Sequence, residues 1–196
     1  VKQFMFICRP NELLVFSGRK NRLEDGTMLG YRMISSATGK GRGFRVPFLE
    51  DVKRIDLAVM EVEVSCRNAF CRGGVRLNVD AIANVKISSE PRIVRNAIER
   101  FLGQDRHEVL EVAKNTLEGH LRAVVASLTP EEVNEDRLKF AERLSEEAGA
   151  DLRKLGLQLD VLKIQAVSDD RNYLDSIGRE RLVVIALHIQ RAAADA

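Results

Sequence analysis

Tryptophan is absent from the 196 residues and tyrosine occurs twice. Proteins that bind single-stranded nucleic acid stack bases on aromatics set among basic residues, so this scarcity argues against a nucleic-acid partner. Cysteine is scarce as well. Cys8, Cys66 and Cys71 are an odd number with no paired spacing, which predicts thiols in a reducing compartment rather than a disulfide framework. No histidine lies close to Cys66 or Cys71, so no zinc site is expected. Long apolar runs are missing too. Phe4 to Cys8 and Leu182 to Leu187 fall far short of the roughly 20 residues of a membrane-spanning helix. Val1 stands where a Met would begin a chain, and no signal peptide follows it. The expectation is a piece of a longer protein, soluble in itself.

Motifs of catalysis are equally lacking. Ser36 to Gly41 resembles a phosphate loop, but Ile34 stands where the motif needs a glycine and Gly41 where it needs a hydroxyl. A flexible basic loop is the better reading. His107, His120 and His188 are far apart and form no metal-ligand pair. No G-x-S-x-G elbow occurs. The acidic pairs Glu131-Glu132 and Asp169-Asp170 sit at expected helix starts, where the helix dipole accounts for them. The sequence therefore predicts no enzyme, no metal and no cofactor.

What is present is a change of period. Hydrophobic residues make up 45% and charged residues 31% of the chain, the balance of a soluble globular domain. Val75, Leu77, Val79, Ala81, Ala83, Val85 and Ile87 share one parity, the mark of a strand with one buried face. Ile55, Leu57 and Val59 start a similar run, and Val62 and Val64 change its parity, which predicts a bulge or bend near Met60. Gly73-Gly74 predicts a hairpin with a loop from about Cys66 to Gly74. Leu13–Phe16 and Met28–Ile34 read as shorter strands, and a Gly/Lys/Arg turn at 38–43 leads into Phe44–Phe48.

Near Ser89 the pattern becomes helical. Ser89 is the expected cap, with Pro91 in the first turn and Val94, Ala97, Ile98, Phe101 and Leu102 as the stripe. A second helix carries Leu110, Ala113, Leu117, Leu121, Val124, Val125 and Leu128. Thr129-Pro130-Glu131-Glu132 is a capping box that restarts the helix. Leu138, Ala141, Leu144, Ala148, Leu152 and Leu155 follow as the next stripe, stopped at Gly156. A strand over 157–166 with a parity switch comes next, and Asp169-Asp170 opens an outgoing helix. Strands first and helices afterwards mean α+β.

Charge divides along the same line. Residues 1–86 hold 15 Lys/Arg against 9 Asp/Glu, and residues 87–196 hold 16 against 20. A basic front half suits an anionic lipid surface or nucleic acid, and scattered solvated charge is the alternative.

Specific motifs add to this reading. Phe101-Leu102-Gly103, Thr116 to Ala123 (TLEGHLRA), Leu128 to Val133 (LTPEEV) and Asp136 to Phe140 (DRLKF) resemble flotillins in residue and order. So do Asp151-Leu152, Leu155-Gly156-Leu157, Asp169-Asp170 and Tyr173 to Gly178 (YLDSIG). At the front, Cys8-Arg9-Pro10-Asn11-Glu12 and Val15-Phe16-Ser17-Gly18 match the flotillin opening. The resemblance runs from about Phe4 to Gly178, with two departures: residues 23–43 do not align, and the apolar run Leu182–Ile189 stands where flotillins carry an Ala/Glu-rich coiled coil.

The resemblance implies an SPFH (band 7) domain, shared with stomatins and prohibitins. It implies a β-rich first subdomain over 1–88, a helix-on-sheet second subdomain over 89–168, and the start of an outgoing helix over 169–196. The implied function is a non-enzymatic, membrane-associated scaffold at the cytoplasmic face that homo-oligomerises and organises membrane microdomains. A regulator of a membrane protease or channel is the alternative, and an enzyme with an unrecognised site is the less favoured third reading. Its partners would be further copies of the chain, anionic membrane lipids and other membrane proteins. The residues expected to touch lipid are Phe4, Met5, Phe6, Ile7 and Cys8, with Arg19, Lys20 and Arg22 supplying charge. The apolar tip can insert, or it can pack on the first sheet. Cys8 can carry an acyl chain, as the resemblance suggests, or be a buried thiol. Leu182, Ile185 and Ile189 are the oligomerisation candidates.

Overall fold

The computed structural model describes residues 4–22, 28–35, 41–169, 173 and 176. The outgoing helix with Leu182, Ile185 and Ile189 lies outside the described residues, apart from helical positions at Tyr173 and Ser176. Among the described residues the named elements are eight strands and four helices, in the α+β order expected. They are β1 (Met5–Ile7), β2 (Glu12–Arg22), β3 (Met28–Ser35), β4 (Arg42–Phe44), β5 (Asp51–Asp56), β6 (Met60–Phe70) and β7 (Arg76–Ile87). Then come α1 (Ile93–Phe101), α2 (Arg106–Ser127), α3 (Pro130–Glu135), α4 (Arg137–Leu155) and β8 (Leu157–Asp169). Three sheets result, with strand orders β1-β4, β3-β2-β5 and β6-β7-β8. The chain splits into two compact units, each drawn from discontinuous segments.

The first unit takes Val1–Glu61, Asn84–Ala113 and Ala150–Asp160. Its central strand is β2, antiparallel to both β3 and β5. Leu13, Leu14, Val15 and Phe16 are all buried, the mark of a strand covered on both faces rather than one. On one face Leu14 and Phe16 join Cys8 and Ile34, with Phe6 and Val52 packed against them. The parity change near Met60 is not a bulge. Leu57 to Val59 is a break, and the chain leaves β5 in one sheet to start β6 in another. Leu57 N–H still donates to Asn11 C=O at 2.8 Å, so the exit is pinned.

Helix α1 begins later than its sequence suggests. Ser89 is not its cap; Ser88 Oγ accepts the Glu90 N–H at 3.2 Å and turns the chain before Pro91. At the other end of this unit's folded-back segment, Gly156 has φ +90° and its Cβ position would lie 2.2 Å from Ala97 N. Only glycine fits there, so the stop after α4 also lets α1 approach. Ser88 N–H completes the join by donating to Gly156 C=O at 3.0 Å.

The second unit takes Val62–Ala83, Lys114–Gly149 and Val161–Ala196. Here β6 and β7 are neighbours joined by only Cys71 to Val75. A link this short permits only an antiparallel pair, since parallel strands need a crossover of about a dozen residues. The loop is thus shorter than expected and starts after Phe70 rather than at Cys66. Thr129 Oγ1 accepts the Glu132 N–H, and the Glu132 carboxylate accepts the Thr129 N–H at 2.9 Å, completing the capping box. The helix it starts is brief. Asp136 interrupts it and caps α4, accepting the Lys139 N–H at 3.2 Å.

The two apolar stripes hold through Ala113, Leu117, Leu121, Val124 and Val125 and through Leu144, Ala148 and Leu152, and each departs at its first turn. In α2 Val109, not Leu110, is the fully buried member. In α4 the buried row is Phe140, Leu144, Ala148 and Leu152, spaced four apart, while Leu138 is 72% exposed. Leu138 lies six residues before Leu144 on the same helix, about 120° around its axis, whereas Phe140, four before, falls in the buried row. Strand β8 keeps the expected parity switch, between Leu159 and Leu162.

Candidate functional site

The first unit carries an apolar ridge on the paired strands β1 and β4. They are antiparallel, with Met5 opposite Phe44, Phe6 opposite Gly43 and Ile7 opposite Arg42. Side chains directly opposite each other share a face, and neighbours along a strand alternate. Met5, Ile7, Phe44 and Arg42 therefore occupy one face and are exposed, with Phe4 exposed just before them.

Phe6 takes the other face. Its ring meets Phe16 edge-on, with centroids 6.1 Å apart and planes at 90°. Gly43 is what makes room for this core, since a Cβ there would lie 2.5 Å from Ile34 Cδ1 and 2.6 Å from Phe16 Cζ. One glycine thus fixes which face of β1 turns inward. Cys8 follows Phe6 inward, and its buried thiol donates to Glu12 C=O at 2.9 Å and to Ile34 C=O at 3.4 Å.

Beyond β4 the chain makes a tight turn over Val46 to Leu49. Leu49 and Glu50 N–H groups both donate to Val46 C=O, at 3.3 and 3.0 Å. Glu50 is 4% exposed. Its carboxylate accepts the Val46 N–H at 2.9 Å and pairs with Arg32 at 3.3 Å. Arg32 also donates to Phe44 C=O and stacks over the Phe16 ring at 4.5 Å from its centroid. Arg45 Nε–H closes the turn on Glu50 C=O at 2.7 Å. The tip presents Phe48 and Leu49 to solvent.

The expected basic residues are placed less fully. Arg19 is exposed on β2, between Ser17 and Asn21 where the register with β3 shifts. Lys20 and Arg22 belong to β2, and their side chains fall outside the described residues. Among the described residues no hydrogen bond or ion pair joins Arg19 to the ridge. The sequence reading overlooked Phe44, Arg42 and the turn residues Phe48 and Leu49. Its available signal was the cluster Phe44, Val46, Phe48, Leu49 among Arg42 and Arg45, which reads as a strand only if Pro47 is ignored.

Other features carry less chemistry. A cleft of about 240 Å³ in the first unit has Ile55, Met60, Ile87 and Phe101 in its wall and Arg106 at its rim. Arg106 is committed to Asp56 at 2.8 Å and to Val59 C=O at 2.9 Å. Cys66 and Cys71 are buried, and burial holds the Cys71 thiol above its ordinary pKa, away from the reactive thiolate. Among the described residues no helix is long and apolar enough to cross a membrane.

An apolar ridge beside a pinned turn, on a β-rich unit followed by capped helices, can now be set beside known proteins. The SPFH domain / Band 7 family model matches residues 6–194. The chain belongs to the SPFH/band 7 family. Flotillin-1 of Homo sapiens is 33% identical over 177 residues, and flotillin-1 of Carassius auratus 34% over 179. Each match covers 90% of this chain and 39% of the relative. This SPFH chain thus spans about two fifths of the length of the flotillins it matches. The flotillin resemblance read from its motifs is established at family level, and so is the α+β class with strands leading.

Proposed function

We propose that this SPFH chain is the membrane-contacting part of a flotillin-like scaffold, one that homo-oligomerises and organises membrane microdomains without catalysing a reaction. The observation that supports the reading is the ridge of Met5, Ile7 and Phe44, exposed with Arg42 on one face of β1–β4. Moving each such side chain out of water contributes about 1.5–3 kcal/mol when burial is complete. Cations held near anionic headgroups add about 1 kcal/mol each. A few of each give weak, salt-sensitive binding by one copy, and many copies in one assembly turn weak contacts into firm attachment.

In this reading the ridge faces lipid at the cytoplasmic leaflet. The segments 1–88, 89–168 and 169–196 serve as first subdomain, second subdomain and outgoing helix. Leu182, Ile185 and Ile189 on the outgoing helix join one copy to the next, and other membrane proteins are the clients of the assembly. The family relationship supports the assembly part and the ridge supports the lipid part.

Vesicle flotation tests the lipid part. Recovery should be higher with anionic than with neutral vesicles and should fall as salt rises, because the Debye length shrinks from about 10 Å at 0.1 M to about 3 Å at 1 M. Equal recovery from both lipids would remove the electrostatic contribution. Light scattering on the full-length protein tests assembly. A large oligomer is expected of the full-length protein and at most weak association of residues 1–196 alone, and an oligomer that survives Ile185→Asp with Ile189→Asp would show that the globular part drives assembly.

A further inference from the structure

The ridge is not the most exposed apolar feature of this unit. Phe48 is fully exposed and Leu49 is 69% exposed, at the tip of the turn over Val46 to Leu49. Phe48 also has φ +66°, in the left-handed region that a bulky residue avoids. Strain of this kind persists only where the surroundings over-determine it. Here they do. The buried Glu50 carboxylate accepts the Val46 N–H, Arg45 Nε–H donates to Glu50 C=O, and Arg32 ties Glu50 to Phe44 C=O. Gly18 presses from below with φ +116°, where a Cβ would lie 2.1 Å from Leu49 C=O oxygen. The result is a rigid turn that holds an aromatic ring away from the protein.

We propose that this turn is a preformed insertion element that places Phe48 and Leu49 among the lipids of an anionic bilayer. The inference rests on the membrane reading above and adds a second contact to it, made by different residues. Three observations choose lipid over a protein partner. The leading side chain of the tip is wholly exposed, which a deformable lipid phase accommodates without a matching groove. It is continuous with the ridge, because Arg45 N–H donates to Phe4 C=O at 2.8 Å and Phe44 lies two residues before Val46. Arg42 and Arg45 flank it with positive charge, the complement of anionic headgroups, and Glu50 is already neutralised by Arg32. A turn fixed in advance loses little conformational entropy on insertion.

The absence of tryptophan makes the test direct. Phe48→Trp and Met5→Trp, made separately, each place a sole tryptophan in the chain. With vesicles of phosphatidylserine and phosphatidylcholine, emission from position 48 should shift to the blue and be quenched by brominated lipid, as should emission from position 5. If position 5 responds and position 48 stays red and unquenched, the insertion turn is wrong while the membrane reading stands. If neither responds, both are wrong. A blue shift at position 48 without lipid that grows with protein concentration would assign the tip to a second copy and overturn the proposal. Phe48→Ser with Leu49→Ser should lower vesicle binding at least fivefold at an unchanged unfolding midpoint. Unchanged binding would also overturn it.

Discussion

The carboxylate of Glu50 accepts the backbone N–H of Val46 from a buried position, 2.9 Å away across a four-residue turn. Arg32 at 3.3 Å is its second partner. Glu50→Ala removes the acceptor and leaves the Val46 N–H without it. The expected loss is about 1–3 kcal/mol in denaturant unfolding, the range for an orphaned buried donor. Glu50→Gln keeps an acceptor oxygen and should lose less. Equal losses would mean that the charge, not the hydrogen bond, holds the turn.

Gly156 and Ala97 give a sharper contrast. Gly156→Ala puts a Cβ at φ +90°, 2.2 Å from Ala97 N, with no flexible side chain to yield. Left-handed strain alone costs about 1–2 kcal/mol, so the sum with the clash should exceed about 3 kcal/mol and cut soluble yield. Gly119, inside α2, has nothing within 4 Å of its Cβ position. Gly119→Ala should stabilise by about 0.5–1 kcal/mol. Thermal unfolding of the pair reads both signs in one experiment.

Core truncations in α4 test the corrected stripe. Leu144→Ala removes a wholly buried side chain and should cost about 2–5 kcal/mol. Leu138→Ala trims an exposed one and should stay within about 0.5 kcal/mol of the parent. A large effect at Leu138 would contradict the buried row headed by Phe140.

That reversal shows what the sequence could and could not carry. Period-two alternation from Val75 to Ile87 marked β7 because each strand residue keeps its face, whatever lies beyond its ends. The capping box at Thr129 and Glu132 was equally legible, since both partners lie within one helical turn. Leu138 was misassigned because two rows lead into Leu144, steps of three from Leu138 through Ala141 or one step of four from Phe140, and spacing alone does not choose between them. The parity change at Met60 was visible and its cause was not, because a bulge and a change of sheet leave the same pattern. In the candidate site, Phe4 to Ile7 stood out as an apolar run. That Phe6 turns inward depends on Gly43, 37 positions away in sequence, and no local signal links the two.

Asp136 gives a pH dependence with a defined sign. Its hydrogen bond from the Lys139 side chain, 2.6 Å between charged atoms, is the main cause holding its carboxyl below the ordinary value of 3.8. A carboxylate whose pKa is lower when folded stabilises above its unfolded value, and that contribution fades as pH falls through the folded one. The unfolding midpoint should therefore drop on acidification below about pH 4 more steeply in the parent than in Asp136→Asn, which keeps the cap oxygen but cannot titrate. Parallel acid profiles would contradict the assignment.

The claim on which the functional account turns is that the β1–β4 ridge touches lipid. Ile7→Ser with Phe44→Ser removes two of its exposed apolar side chains and leaves Phe6 and Gly43 in the core. The measurement is flotation of this variant and its parent with anionic vesicles at low salt, alongside their thermal unfolding midpoints. The account predicts that the parent floats, that the variant loses most of that recovery, and that the two midpoints agree within a few degrees. A variant that unfolds at the same temperature and floats as well as the parent would contradict it.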